Sequence, residues 1–414
     1  MKRLLTLSWC MPPLVMPRSI QVSRLLASLA EFNWKSDVVC VDPDSLRLKS
    51  YILDNSLDRP AGGKVRKFPV PTLEDWIVVR GLIRLFPALG ILPDSKWVWK
   101  NAAFRKCDSL TSREKYDAFI SFGQPWTDHL VGLQLKQQSG LPWVAHFSDP
   151  WADSPYVRST SWVMKQRFMM ESSVIEQADA VVFVSRETAD LVMKKYPDTW
   201  RKKTHVIPHG FEPEVSSTQI ENKPAAEPLE FHYSGNFYGL RTPENLFKAA
   251  ARLAADPHYR SAFRIRFAGN ISPAHQKMAE ELQLTEIIRF EGAVPFLQSQ
   301  EFCRRADVLL VIDAPSSSPS VFLPSKLVDY LAFNKPILGI TPLSGSSAEL
   351  ISRLDCPVVD PLDIDGIARA IAALIDAHRN GSLGISNTFE QTAADYRISN
   401  SAKQLDALLA SLIA

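Results

Sequence analysis

The chain has 414 residues, of which 46% are hydrophobic and 22% charged, with a formal net charge of +2. That length exceeds what one hydrophobic core usually serves and predicts two domains, while the ordinary composition excludes a disordered or fibrous chain. The small total conceals a split, because residues 1–210 carry 29 Lys or Arg against 21 Asp or Glu and the remainder 18 against 24, so the two halves are suited to different partners.

In chain order, "RLLTLSW" (Arg3–Trp9) predicts a buried first strand, since its apolar run is short for a leader and no small-residue cleavage site follows. A helical pattern over Ser19–Glu31, with Ser19 as its N-cap, comes next. Further strands are expected at Asp37–Val41, Asp117–Phe122, Trp143–Phe147, Ala180–Val184 and His205–Ile207, with a helix over Thr127–Gln138. Between Lys64 and Lys106, bases such as Arg80, Arg84, Lys96, Lys100 and Arg105 interleave with Trp76, Phe86, Trp97 and Trp99 around "DWIVVRGLIRLFPALGIL". That pattern suits an anionic membrane surface or, equally, the packing of a long αβ excursion; no recognised module supports nucleic acid as a partner.

Residues 211–228 read as a linker, being rich in Pro, Ser, Glu and Asn without periodicity. The strand series then restarts at Glu230–Tyr233, Arg264–Ala268, Ile287–Phe290, Val308–Ile312, Ile337–Ile340 and Pro357–Val359. Helical patterns separate these strands over Pro243–Ala255, Pro273–Leu282, Leu297–Arg305, Ser325–Phe333 and Ile364–His378. The expected fold is therefore α/β, two Rossmann-like, doubly wound parallel-sheet domains over 1–210 and 229–395, closed by an apolar helix within 396–414. No window reaches the roughly 18 uninterrupted apolar residues of a spanning helix. Five scattered cysteines without a C-x-x-C pair argue against a disulfide framework and a zinc site, and point to the cytoplasm.

In parallel α/β sheets ligands bind beyond the carboxyl ends of the strands, so the residues after each strand carry the functional reading. After "ADVLLVID" comes "VFLPSKLVDYLAFNKP" (Val321–Pro336), where Ser325 and Lys326 open a helix whose dipole and unpaired N–H groups favour phosphate oxygens. Asp329 falls on the same face, placed for ribose hydroxyls; the plainer reading makes Ser325 an N-cap and Asp329 a solvated position. In "YSGNFYGLRTPENL" (Tyr233–Leu246), Gly235, Asn236 and Gly239 precede Arg241, a candidate grip on a departing diphosphate or else an ordinary turn with a surface base. In "WVAHFSDPWADSP" (Trp143–Pro155), Asp149 beside Trp151 is placed to orient a sugar hydroxyl or an acceptor nucleophile, while His146 reads as a core histidine. Gly123 and Gln124, after the strand "YDAFISF", are acceptor-side candidates that turn chemistry explains nearly as well.

No P-loop, dinucleotide fingerprint, H-E-x-x-H or G-x-S-x-G motif occurs. Asp42 and Asp44 have D-x-D spacing, but "DPDSLR" reads as a turn, so no divalent metal is expected.

The pieces "PPLVMPRSIQVSRLLASLAE", "HFSDPW", "ADAVVFVS", "VIPHGFE", "YSGNFYGLRTPENL", "FEGAVP" and "PSKLVDYLAFNKPIL", in this order and spacing, resemble the bacterial GT-B glycosyltransferases of the large retaining family four along nearly the whole chain. The resemblance implies two domains enclosing a cleft, with a nucleotide-sugar held by the C-terminal one and the acceptor by the N-terminal one. It implies a ribose role for Asp329, where the family usually has Glu, and diphosphate roles for Arg241, Ser325 and Lys326. It places Gly235, Asn236, Gly292 and Val294 around the donor, Arg18, Gly123, Gln124 and Asp149 on the acceptor side, and the chemistry on Arg241, Lys326 and Asp149. Two departures stand out: Val321 occupies the place of the family's other acidic residue, and Leu14 and Val15 replace a Gly-Gly pair. The implied activity is retaining, metal-independent, hexosyl-type transfer from a nucleotide-diphosphate sugar to a glycan or polyprenyl-linked acceptor in cell-surface polysaccharide synthesis. The donor is a substrate and no cofactor is expected; the expected place is the cytoplasm, peripheral at the inner face of the membrane. A GT-B nucleotide-sugar epimerase and an inactive sugar-nucleotide-binding protein are the alternatives.

Overall fold

The apolar runs of the first half pair into a seven-stranded sheet made of β1 (Lys2–Leu7), β2 (Trp34–Val41), β3 (Val65–Val70), β4 (Ala118–Gly123), β5 (Trp143–Phe147), β6 (Ala180–Phe183) and β7 (Thr204–Val206). Its order is β3-β2-β1-β4-β5-β6-β7, and every pairing is parallel. The computed structural model describes residues 1–46, 51–58, 63–155, 157–213, 224, 226–237 and 239–414.

Side chains alternate across a strand, and the two faces of this sheet feed two separate cores. Leu5, Leu7, Val39 and Phe119 pack on one face with Cys107 and Leu110 of the helix Lys100–Arg113. Leu4, Val38, Ile120 and Phe122 pack on the other with Leu25, Leu26 and Leu29 of α1 (Pro17–Leu29). Burial on both faces is why β4 and β5 are mainly apolar without regular alternation, Ser121 and His146 being buried along with the rest.

The second half repeats the plan. Strands β8 (Leu229–Ser234), β9 (Phe263–Ala268), β10 (Ile288–Gly292), β11 (Val308–Ile312), β12 (Ile337–Ile340) and β13 (Val358–Val359) pair in parallel in the order β10-β9-β8-β11-β12-β13. Again there is a core on each face, one around Phe231, Phe247 and Phe267 and one around Leu309, Leu327 and Leu350.

Contacts divide the chain into a first unit, Met1–Gly210 with Ile398–Ala414, and a second unit, Phe211–Arg397. The C-terminal helix Ile398–Ile413 thus completes the first unit, burying Ala402, Leu405 and Leu409 in the core that α1 shares. Its Asp406 accepts from Lys2 Nζ at 2.7 Å and from Trp34 Nε1 at 2.8 Å.

Several sequence expectations need correction. Helix α1 starts at Pro17 with Met16 in the cap position, not at Ser19, because proline at the first helical position has its φ already set and needs no N–H partner. Ser19 is buried inside the first turn. Strand β3 was not expected: "VRKFPV" is polar and holds Pro69, which a sheet tolerates at its edge, where β3 lies. Within the expected linker 211–228, residues 214–223 and 225 fall outside the described residues. The D-x-D pair is a turn, with Asp42 accepting from the Asp44 N–H at 3.1 Å.

Candidate active site

In each sheet the strand order reverses once, between β1 and β4 in the first unit and between β8 and β11 in the second. At such a reversal, adjacent connections leave to opposite faces and open a crevice beyond the carboxyl ends of the strands. Most of the sequence candidates lie beside these two points.

In the second unit, β8 runs into Gly235 and Asn236, and β11 into Asp313. Arg241 is buried and its Nη2 donates to Asp313 Oδ1 at 2.7 Å, while Ser347 Oγ donates to the other oxygen at 2.7 Å. The carboxylate thereby fixes the guanidinium at the strand ends. The helix Ser325–Tyr330 begins at Ser325 itself with Pro324 as the cap residue, which overturns the reading of Ser325 as an N-cap. One residue on, the Lys326 ammonium sits 3.8 Å from the centre of the Tyr233 ring and has no hydrogen-bond partner among the described residues. Burial pushes its pKa well below the usual lysine value; Arg241 adds to this and Asp313 opposes it.

Space for the ammonium depends on glycine. A Cβ on Gly235, whose φ is +132°, would stand 2.5 Å from Lys326 Nζ, and one on Gly269 would stand 2.2 Å from the Gly235 carbonyl oxygen. The Gly269 N–H in turn donates to the Gly292 carbonyl at 2.7 Å, so three glycines line the adjacent ends of β8, β9 and β10. Asn236 Oδ1 accepts from the Asn270 N–H at 2.8 Å. Gly235, Asn236, Arg241 and Lys326 are thus brought together, Ser325 and Asp329 share the lysine's helix, and Val294 stands half-buried in the loop after Gly292. Sequence reasoning missed Tyr233, Gly269 and Asp313. Of these only Asp313 had a signal, as the first residue after an apolar strand.

In the first unit, the buried Arg18 donates to the Gly123 carbonyl, which also accepts from Ser148 Oγ at 3.2 Å. Ser148 Oγ lies 2.7 Å from Asp149 Oδ2. Burial lowers the pKa of Arg18 to about 10 and raises that of Asp149, each partly offset by the other's charge. A Cβ on Gly123 would meet Trp126 and His129 at 2.6 and 2.7 Å, so glycine is required there for packing. Gln124 is exposed and lines a cavity of about 320 Å³ together with Trp126, Lys96 and Arg167. His146 is a buried neutral histidine, its pKa pushed well down by burial and then by Arg18.

Residues 19–210 match the family model of the glycosyl transferase 4-like domain. The first unit thus carries a glycosyl transferase 4-like domain, and the chain has the GT-B fold. The chain resembles, over its whole length, the sucrose-phosphate synthase of Thermosynechococcus elongatus, at 19% identity and a TM-score of 0.69, covering 100% of this chain and 99% of that one. It also resembles HepE of Anabaena in complex with UDP, at 15% identity and a TM-score of 0.65, covering 99% and 100%. A third likeness is to the lipopolysaccharide outer core galactosyltransferase WaaB, at 13% identity and a TM-score of 0.63, with 99% of each chain covered. No curated protein matches the sequence.

Proposed function

We propose that this protein is a glycosyltransferase that moves a sugar, with retention, from a nucleotide-diphosphate sugar bound by its second unit to a glycan or polyprenyl-linked acceptor bound by its first. The observation that carries this reading is the Lys326 ammonium, shielded from water, without a hydrogen-bond partner among the described residues, and one turn from Asp329. A cation held in that condition gains most from an anion, and a diphosphate beside Lys326 and the pre-oriented Arg241 would restore its charge.

Catalysis then needs no protein nucleophile. Lys326 and Arg241 stabilise charge growing on the departing diphosphate, whose own oxygen takes the acceptor proton on the face it leaves. Asp149, bonded to Ser148, orients the sugar or the acceptor. The proposal extends to a metal-independent reaction without a cofactor, serving cell-surface polysaccharide synthesis in the cytoplasm at the inner face of the membrane. Because a structural relative holds UDP, a UDP-sugar is the first donor to test.

Thermal shifts with UDP, GDP, ADP, CMP and dTDP, each with and without magnesium, test the cradle on wild type and Lys326→Ala. One diphosphate at a hundred times its Kd is expected to stabilise the wild type by about 2.7 kcal/mol without magnesium, and the variant hardly at all. If no nucleotide stabilises the wild type, or the variant responds equally, the donor site is not here.

A further inference from the structure

Helix α2 (Ile77–Leu85) buries none of its residues, and Ile77 and Leu85 are 87% and 74% exposed. Trp76, Val78 and Phe86 are exposed beside them, so an apolar face of several large side chains meets solvent. From Trp76 to Lys106 the chain carries six Lys or Arg and one acid, Asp94. An apolar face inside a basic segment fits an anionic amphiphile, whose chain takes the first and whose head group takes the second.

The chain leaving α2 supplies the wall of the cavity beside Gln124. Gly90, Ile91 and Pro93 line it, with Met16 and Val157 adding further apolar surface. Two cations reach it. Arg167 is only 3% exposed, and its Nε–H has no acceptor among the described residues. Lys96 is bonded to Glu74 at 2.7 Å and to Tyr51, over the Trp9 ring. Asp94 also lines the cavity, but its carboxylate is engaged by the Lys96 N–H at 2.8 Å and by the Thr127 N–H and Oγ1 at 2.9 and 2.8 Å. Burial raises its pKa, which weakens its repulsion of an anion. The cavity therefore offers apolar walls and cationic donors, directly continuous along the chain with an exposed apolar helix.

We propose that this cavity receives the phosphate end of a lipid-linked acceptor, a prenyl or alkyl chain ending in a phosphate, and that the chain leaves along the apolar face of α2. The inference rests on the transferase reading, and it selects the lipid-linked acceptor over the free glycan. A sugar phosphate without a lipid shares the head-group chemistry, so the test separates the two.

Calorimetric titration of the full-length protein with farnesyl phosphate below its micelle concentration is the direct measurement, compared with farnesol, glucose 1-phosphate and inorganic phosphate. Saturable binding of farnesyl phosphate is expected, with the other three at least tenfold weaker. Arg167→Gln should lose at least tenfold for farnesyl phosphate and nothing for farnesol. Because Arg167 is buried and its replacement could unfold the site, Val157→Trp and Ser154→Trp, which fill the cavity from half-buried loop positions, should each give the same tenfold loss. Stabilisation by the nucleotide should persist in all three variants, since Lys326 belongs to the other unit. Equal affinity for farnesol would show that the phosphate is not read, and equal affinity for glucose 1-phosphate would remove the lipid; either overturns the proposal. Unchanged binding in both filled variants would place the chain on α2 alone and overturn it as well. If farnesyl phosphate binds as expected while no nucleotide stabilises the wild type, the donor reading fails and this site stands.

Discussion

The state of the Lys326 ammonium is set by what surrounds it. The ammonium stands over Tyr233, with room that only glycine at 235 leaves, and its pKa is lowered by burial and by Arg241. The sign of the pH dependence follows. In the free protein the lysine loses its proton below the usual value of 10.5, and a diphosphate bound in the proposed donor site would raise that pKa again. Between the two values, binding takes up a proton, so affinity for the nucleotide falls as pH rises through that window. Calorimetry at pH 9 in two buffers of different ionisation enthalpy should show this proton uptake in the wild type and none in Lys326→Met. Equal uptake in both proteins would assign the proton elsewhere.

The elements differ in how far their surroundings explain them. Helix Ser325–Tyr330 buries Leu327, Val328 and Tyr330 and has the Tyr330 hydroxyl accepting from the Ser234 N–H at 3.0 Å, so the lysine's helix is tied to the end of β8. Helix α2, by contrast, buries none of its residues. Its apolar face is expected to bind vesicles containing anionic lipid, with Arg80 and Arg84 adding about 1 kcal/mol each near the surface. Flotation should show the wild type bound and Ile77→Glu/Leu85→Glu unbound, with no loss of Tm because both side chains are exposed. Retention of vesicle binding by the double variant would remove α2 from the membrane reading. No helix among the described residues is long and apolar enough to cross a membrane.

For the whole molecule, the connection that matters is the return of the chain at Ile398. Ala402, Leu405, Leu408 and Leu409 enter the first unit's core, and removing a buried leucine side chain typically costs about 2–5 kcal/mol. Their joint loss is comparable with the roughly 5–15 kcal/mol that holds a domain together. Truncation after Arg397 should therefore leave the first unit unable to fold, while stabilisation by the nucleotide survives in the second. Limited proteolysis read by mass spectrometry would show residues 1–210 degraded and 211–397 protected by the nucleotide; a protected first unit would contradict the assignment.

The sequence by itself determined the strands of both units to within a few residues, apart from β3, and so the α/β class. An apolar run of strand length flanked by turn residues has few other ways to be buried. It also placed Gly235, Arg241, Ser325 and Lys326 after strands, where ligands are bound. Only the tertiary structure decided which strand ends are neighbours, because the order β10-β9-β8-β11-β12-β13 depends on crossovers that no local pattern encodes. That order sets Asp313 of one strand end against Arg241 of another, and Tyr233 beneath Lys326, across separations of 72 and 93 residues that no spacing rule spans. The same holds for α2: its amphipathic pattern was legible, but whether that face met a core or the solvent was a matter of packing, and the fold left it exposed.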